Sequence, residues 1–212
     1  MPSPLRGGVV LAVAVLAAGC SPGGEEATGI PAPTPATSPI VAGPLCTDLP
    51  TGSDPGGPEL LTEEPADTAL QWIPVLTIFE AAVRATGMAE ELRAIEAVTV
   101  LAPTDEAFEE TFTEDTLDDL LLFRQDELRT VLEAHLIEGS HSLTDLLTVQ
   151  RLRTLDGHRL RVAPGHGGML RLDGRAETVC GDYLVANGRI HVIDEVLGDR
   201  PKPAPKRQPG VG

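Results

Sequence analysis

The sequence predicts an α+β fold, and three observations carry that reading. Helical periodicity runs from Asp67 to about Leu147, and short β-rich segments with Gly-containing turns follow from Leu152 to Leu197. Helices and strands in separate runs suit an α+β domain better than a doubly wound sheet. The third observation is Val98–Phe108, VTVLAPTDEAF, which reads as strand, stop and helix. Val98, Val100 and Ala102 alternate with Thr99 and Leu101, and both sets are mostly apolar or β-branched, as in a strand buried on both faces. Pro103 removes a ladder donor and ends the strand. Thr104 is a good N-cap, Asp105 and Glu106 place negative charge at the positive end of the next helix, and Ala107 and Phe108 begin its apolar face.

Before this domain comes an export signal. Val9–Ala18 is an apolar run behind Arg6. It is too short to span a bilayer, which takes about 20 residues, and reads as the core of a signal peptide over residues 1–19. Leu16-Ala17-Ala18-Gly19-Cys20 is similar to a bacterial lipobox, in which Cys20 is lipidated and becomes the mature N-terminus. A diacylglyceryl group supplies the two chains that stable anchoring needs. Membrane contact is therefore expected through lipid alone. Ser21–Pro44 reads as a tether: fifteen of its 24 residues are Pro, Gly, Ser or Thr, and stretched as polyproline it reaches on the order of 70 Å. With Cys20 lipidated, Cys46 and Cys180 remain in an oxidising compartment, as a bridge or as two unrelated thiols.

Along the chain, 20–66 forms the lipidated tether and an irregular arm, 67–198 the folded domain and 199–212 a basic, Pro-rich, disordered tail. Leu70, Ile73, Leu76, Phe79 and Val83 recur at helical steps and predict one amphipathic helix with Pro74 in its first turn and Gly87 as C-cap. Met88–Glu96 reads as a short second helix. Glu114–Arg124, capped by Thr116, and Asp126–Leu136 are Leu-rich helices, and Leu143–Leu147 is a shorter one. Leu152–Val162 reads as a hairpin around a two-residue Asp156-Gly157 turn. Met169–Leu172 and Thr178–Cys180 read as further strands, and Asn187-Gly188 turns Tyr183–Ala186 back onto Arg189–Asp194.

Two segments resemble signatures of the fasciclin domain. VTVLAPTDEAF is similar to its first signature, through Thr99, Ala102, Pro103, Thr104, Asp105, Ala107 and Phe108, with Leu101 where Phe is usual. NGRIHVIDEVL, Asn187–Leu197, is similar to its closing signature, through Asn187, Gly188, His191, Ile193 and Asp194. Between them, His135 and Gly139 fall in a segment where the family carries a Tyr-His pair, linked in animal relatives to integrin-dependent adhesion; Ala134 replaces the Tyr, and His135 reads as a structural hydrogen-bonding residue. The resemblance implies a single β-sandwich-like wedge with helices packed against it. Val179-Cys180-Gly181 also resembles the cysteine context of mycobacterial fasciclin-domain antigens, which implies a Cys46–Cys180 disulfide.

A formal charge of −16, with 32 acidic against 16 basic residues, argues against nucleic acid, since no basic stripe with interleaved aromatics is evident. Glu109, Glu110, Glu114, Asp115, Asp118 and Asp119 read as a solvated helical face, without the Gly-centred loop of a calcium site. No two of His135, His141, His158, His166 and His191 have zinc-protease spacing, and no Ser sits in a nucleophile elbow. No cofactor, metal or catalytic set is expected. The resemblance implies adhesion at the outer face of a bacterial plasma membrane, toward an extracellular protein or a cell-wall polysaccharide. The alternative is a lipoprotein of the envelope that binds a small molecule.

Overall fold

The structure, a computed structural model, describes residues 40–203. The signal peptide, Cys20 and most of the tether and tail lie outside the described residues. Helices α1 (Pro58–Leu61), α2 (Ala66–Ala69), α3 (Thr77–Ala85) and α4 (Ala89–Ala94) precede strand β1 (Val98–Pro103). Helices α5 (Asp105–Thr111), α6 (Glu114–Leu122) and α7 (Gln125–Glu133), strand β2 (Leu136–Glu138) and helix α8 (Leu143–Thr148) follow. The chain then runs through β3 (Arg151–Arg153), β4 (Arg159–Pro164), β5 (Leu170–Leu172), β6 (Ala176–Val185) and β7 (Gly188–Ile193). Among the described residues these strands make one sheet in the order β2-β1-β7-β6-β5-β4-β3. β1 and β7 are parallel and the other neighbours antiparallel. A bridge between Ile137 and Thr154 joins the two ends, so the sheet curls almost closed.

The curl divides the core in two. Val98, Val100 and Ala102 point into the larger cluster, shared with Phe79, Phe108, Leu120, Leu128 and Leu132 of the helices. Leu101 points into a second cluster with Leu160, Leu170, Leu172 and Ile193, inside the curl. β1 is buried at every position, as a strand with helices on one side and sheet on the other must be.

The expected single helix over Leu70–Val83 is instead α2, a 3-10 turn at Leu70–Trp72 and α3. Pro74 disfavours helical geometry at the preceding residue, and Ile73 is extended at φ −90°, ψ 109°. The stripe survives the break: Leu70, Ile73, Leu76, Phe79 and Val83 are all buried. Gly87 ends α3 in a Schellman motif, with its own N–H donating to Arg84 O and Met88 N–H to Val83 O at 3.1 and 3.0 Å.

Other expected elements move by a few residues. Thr113, not Thr116, caps α6, its hydroxyl accepting from Thr116 N–H. α7 stops at Glu133 and Leu136 opens β2. The β3–β4 loop closes with Thr154 N–H donating to His158 O at 3.1 Å. It therefore holds three residues, with Gly157 at φ 88°, not the expected two-residue turn. The two short strands expected at Thr178–Cys180 and Tyr183–Ala186 are one strand, β6, with register shifts on either side of Cys180 and Asp182 at φ 67°.

The arm belongs to the folded unit. Leu49 and Leu61 join the larger core cluster. Ala42 exchanges two backbone hydrogen bonds with Gly181, at 3.0 and 2.8 Å. Cys46 and Cys180 form a disulfide with Cα atoms 5.1 Å apart.

Candidate functional site

The signature residues meet at the seam between β1 and β7, and their polar groups are turned inward. The Thr99 hydroxyl donates to Gly139 O at 2.6 Å and accepts from His141 N–H at 2.9 Å. Thr104 caps α5 by accepting from Ala107 N–H at 3.1 Å. Asp105 reaches across to α3, which has no side-chain cap of its own, and accepts from Thr77 Oγ1 and Ile78 N–H at 2.7 and 2.8 Å. Its charge thus sits at that helix's positive end. Ala102, Pro103, Ala107 and Phe108 are buried, and Phe108 packs a tilted ring 6.4 Å from Phe79.

The closing signature works the same way. Asn187 donates to Leu92 O and Ile95 O at 2.7 and 3.0 Å, and accepts from Ala66 N–H at 2.8 Å. One side chain therefore satisfies the C-terminus of α4 and the N-terminus of α2, where helices leave orphan groups. Gly188 lies against β1, and Ile193 is buried. Asp194 Oδ1 accepts from Glu177 N–H at 2.6 Å.

His135 and His191 are both fully buried. The neutral His135 ring donates from Nδ1 to Val131 O at 2.7 Å and accepts at Nε2 from Leu197 N–H at 2.8 Å. His191 accepts at Nδ1 from Asp182 N–H at 3.1 Å and donates from Nε2 to His141 O at 2.9 Å. A second proton on either ring would displace an N–H donor in a fully buried site. Burial accordingly lowers the His135 pKa to about 4 and that of His191 in the same direction. Because the folded pKa lies below the ordinary 6.5, stability is complete above pH 6.5 and is lost as pH falls toward 4. For His135 the loss is about 3 kcal/mol. Denaturant titrations from pH 7 to 4.5 are expected to show this slope, and His135→Gln, which cannot titrate, to make it shallower while leaving the share due to His191.

Beside His135, Ala134 is only 2 % exposed, and a Cβ on Gly198 would lie 2.7 Å from Ala134 Cβ. The closing segment covers the position where the family's Tyr stands. Among the described residues no group of three or more His, Cys, Asp and Glu is arranged to hold a metal ion, and no helix is long and apolar enough to cross a membrane.

The exposed surface carries three local features. Leu122 and Phe123 are 64 % and 67 % exposed at the end of α6, and the neighbouring Arg124 donates to Lys202 O at 3.0 Å, holding the start of the C-terminal segment there. A groove of about 410 Å³ lies between α3, α5 and α6, lined by Ile78, Phe112 and Leu117 with Glu109, Thr113 and Glu114. On the sheet side, Arg151, Arg153, Arg159 and Arg161 are exposed on β3 and β4. Sequence reasoning missed this arginine face, although Arg-Leu-Arg on both sides of one turn was the available signal.

A curled seven-stranded sheet with helices packed on one side, its seam held by the two signature segments, is a fasciclin-type wedge. The chain belongs to the fasciclin domain family, whose family model matches residues 74–199. This family is associated with cell adhesion and extracellular matrix interaction. Transforming growth factor-beta-induced protein ig-h3 of Sus scrofa is 36% identical over 117 residues, covering 55% of this chain and 17% of that protein. The Oryctolagus cuniculus protein of the same name matches to the same extent. The chain thus spans about a sixth of the length of these relatives. In fold it is similar to a FAS1 domain pair from the insect cell adhesion molecule fasciclin I, with a TM-score of 0.56 at 18% identity, covering 65% of this chain and 52% of that one.

Proposed function

We propose that this protein is a non-catalytic adhesion module, lipid-anchored through Cys20 at the outer face of a bacterial plasma membrane, which contacts an extracellular protein or wall polymer. The observation that carries this reading is the fasciclin domain itself, with the polar side chains of its signatures committed to holding the fold. A surface module needs only a stable scaffold and an outward face. The lipobox-like Leu16–Cys20 and the Pro-rich tether that follows support display at a distance from the bilayer.

The test is intact mass of the detergent-extracted protein together with a cell-attachment assay. The expected results are a mass gain matching diacylglyceryl on Cys20, and release with loss of attachment in Cys20→Ala. An unlipidated chain in the medium overturns the anchor, and attachment unaffected by release overturns the adhesion role. The second reading, capture of a small solute, is favoured by the groove at Ile78, Phe112 and Leu117, whose apolar lining and acidic rim suit an amphiphilic cation.

A further inference from the structure

The arginines of this acidic chain are unevenly placed. Residues 151–176 hold six arginines, at 151, 153, 159, 161, 171 and 175, against two acids, Asp156 and Asp173. Four of them share one exposed face of a two-stranded ladder. The register sets Arg151 opposite Arg161 and Arg153 opposite Arg159, while Leu152 and Leu160 face the other way. Directly opposed strand residues have Cβ atoms about 5 Å apart, and same-face neighbours along a strand are about 7 Å apart. The register therefore roots the four arginines at the corners of a rectangle of about 5 by 7 Å.

Acids do little to neutralise it. Of these four arginines only Arg161 has an ion-pair partner among the described residues, Asp173 at 3.9 Å. That carboxylate is also engaged by Arg161 N–H and by His158 Nε2. Arg151, Arg153 and Arg159 have no carboxylate within ion-pair distance among the described residues. Like charges directly opposite on a sheet destabilise it. Protection of an edge strand would be served equally by mixed charges, and a chain with 32 acidic residues has placed none of them opposite these arginines.

We infer that the Arg151–Arg153–Arg159–Arg161 face of β3 and β4 binds a flexible phosphodiester polymer without aromatic bases, a polyol- or sugar-phosphate strand. Guanidinium forks pair with phosphate oxygens in two-point fashion, and four of them match successive phosphates of a strand lying across the ladder. No aromatic residue occurs between 151 and 176 to stack a base. Outside the patch the chain is strongly acidic and repels a long, stiff polyanion, whereas a flexible strand can enter and leave the rectangle. The inference rests on the reading of the domain as a surface interaction module and names its ligand class.

The test is binding of poly(glycerol phosphate) to the full-length protein, with a single-stranded oligonucleotide, polyglutamate and neutral dextran as comparisons. Poly(glycerol phosphate) is expected to bind with an affinity that falls with salt, at a log–log slope of about −2 to −3. Replacing all four arginines with Thr is expected to weaken binding at least tenfold while raising the melting temperature, because repulsion is relieved at β-favouring positions. Arg159→Glu supplies a second variant, which gains a cross-strand partner in Arg153 and is also expected to weaken binding. No binding, or binding unchanged in both variants, overturns the inference. Tighter capture of the oligonucleotide or of polyglutamate overturns the choice of ligand. Cell attachment by a protein that binds no polymer overturns this inference alone, and polymer binding without attachment overturns the adhesion reading alone.

Discussion

Gly188→Ala is expected to destabilise the domain by about 4 kcal/mol or more. A Cβ at this position would lie 1.8 Å from Val98 O, 2.8 Å from Val98 C and 3.0 Å from Val98 N. These are backbone atoms in the middle of the sheet, so no side chain can swing aside. Gly188 is fixed on both flanks, paired with Val98 of β1 and Val185 of β6. Making room would part β1 from β7 and open the seam where both core clusters meet. Gly87→Ala is the control: its φ is 71° and nothing lies within 4 Å of the added atom, so only left-handed strain applies, about 1–2 kcal/mol. Guanidinium denaturation of the two variants checks the contrast, and equal losses would refute the steric account.

Loss of the disulfide is the second large effect. Cys46 and Cys180 are 134 residues apart, and a loop of that size is worth about 4–5 kcal/mol at most in the chain-entropy model. The bond also holds an arm that buries Leu49 and Leu61 and pairs Ala42 with Gly181. Residual structure in the reduced, unfolded chain lowers that ceiling, so a loss of about 3 kcal/mol is expected. It should fall unevenly: hydrogen exchange at residues 42–49 should rise far more than in β1 or β7. Cys46→Ser is expected to be the milder substitution, because Cys46 is half-buried. Cys180 is fully buried, and a serine there would bring a hydroxyl into the core.

Local chemistry was the most readable part of the sequence. Val98–Phe108 encodes its strand, its stop and its cap within eleven residues, and each appears in the structure. The core stripe from Leu70 to Val83 was equally plain, but one proline converted a continuous helix into two pieces without disturbing what is buried. Long-range duties were not readable. Nothing near Asn187 announces that its amide joins α2 to α4, and nothing near Asp105 announces that it caps α3, since both partners come from distant chain. The parallel β1–β7 pairing also has no local signal. The arginine face was visible as Arg-Leu-Arg repeated across a turn, but net charge averages over the molecule and conceals a local reversal of sign.

The β1–β7 pairing bears on the order in which this chain can acquire its structure. β1 contacts β2 across about forty residues, but its other neighbour lies some ninety residues further on. Closing so long a loop precedes any reward from the contacts it brings, which places such topologies among the slower folders. During synthesis β1 has only half its partners until residue 193 has emerged. The helical layer over residues 66–133 therefore has time to collapse first and to serve as the surface on which the late strand docks.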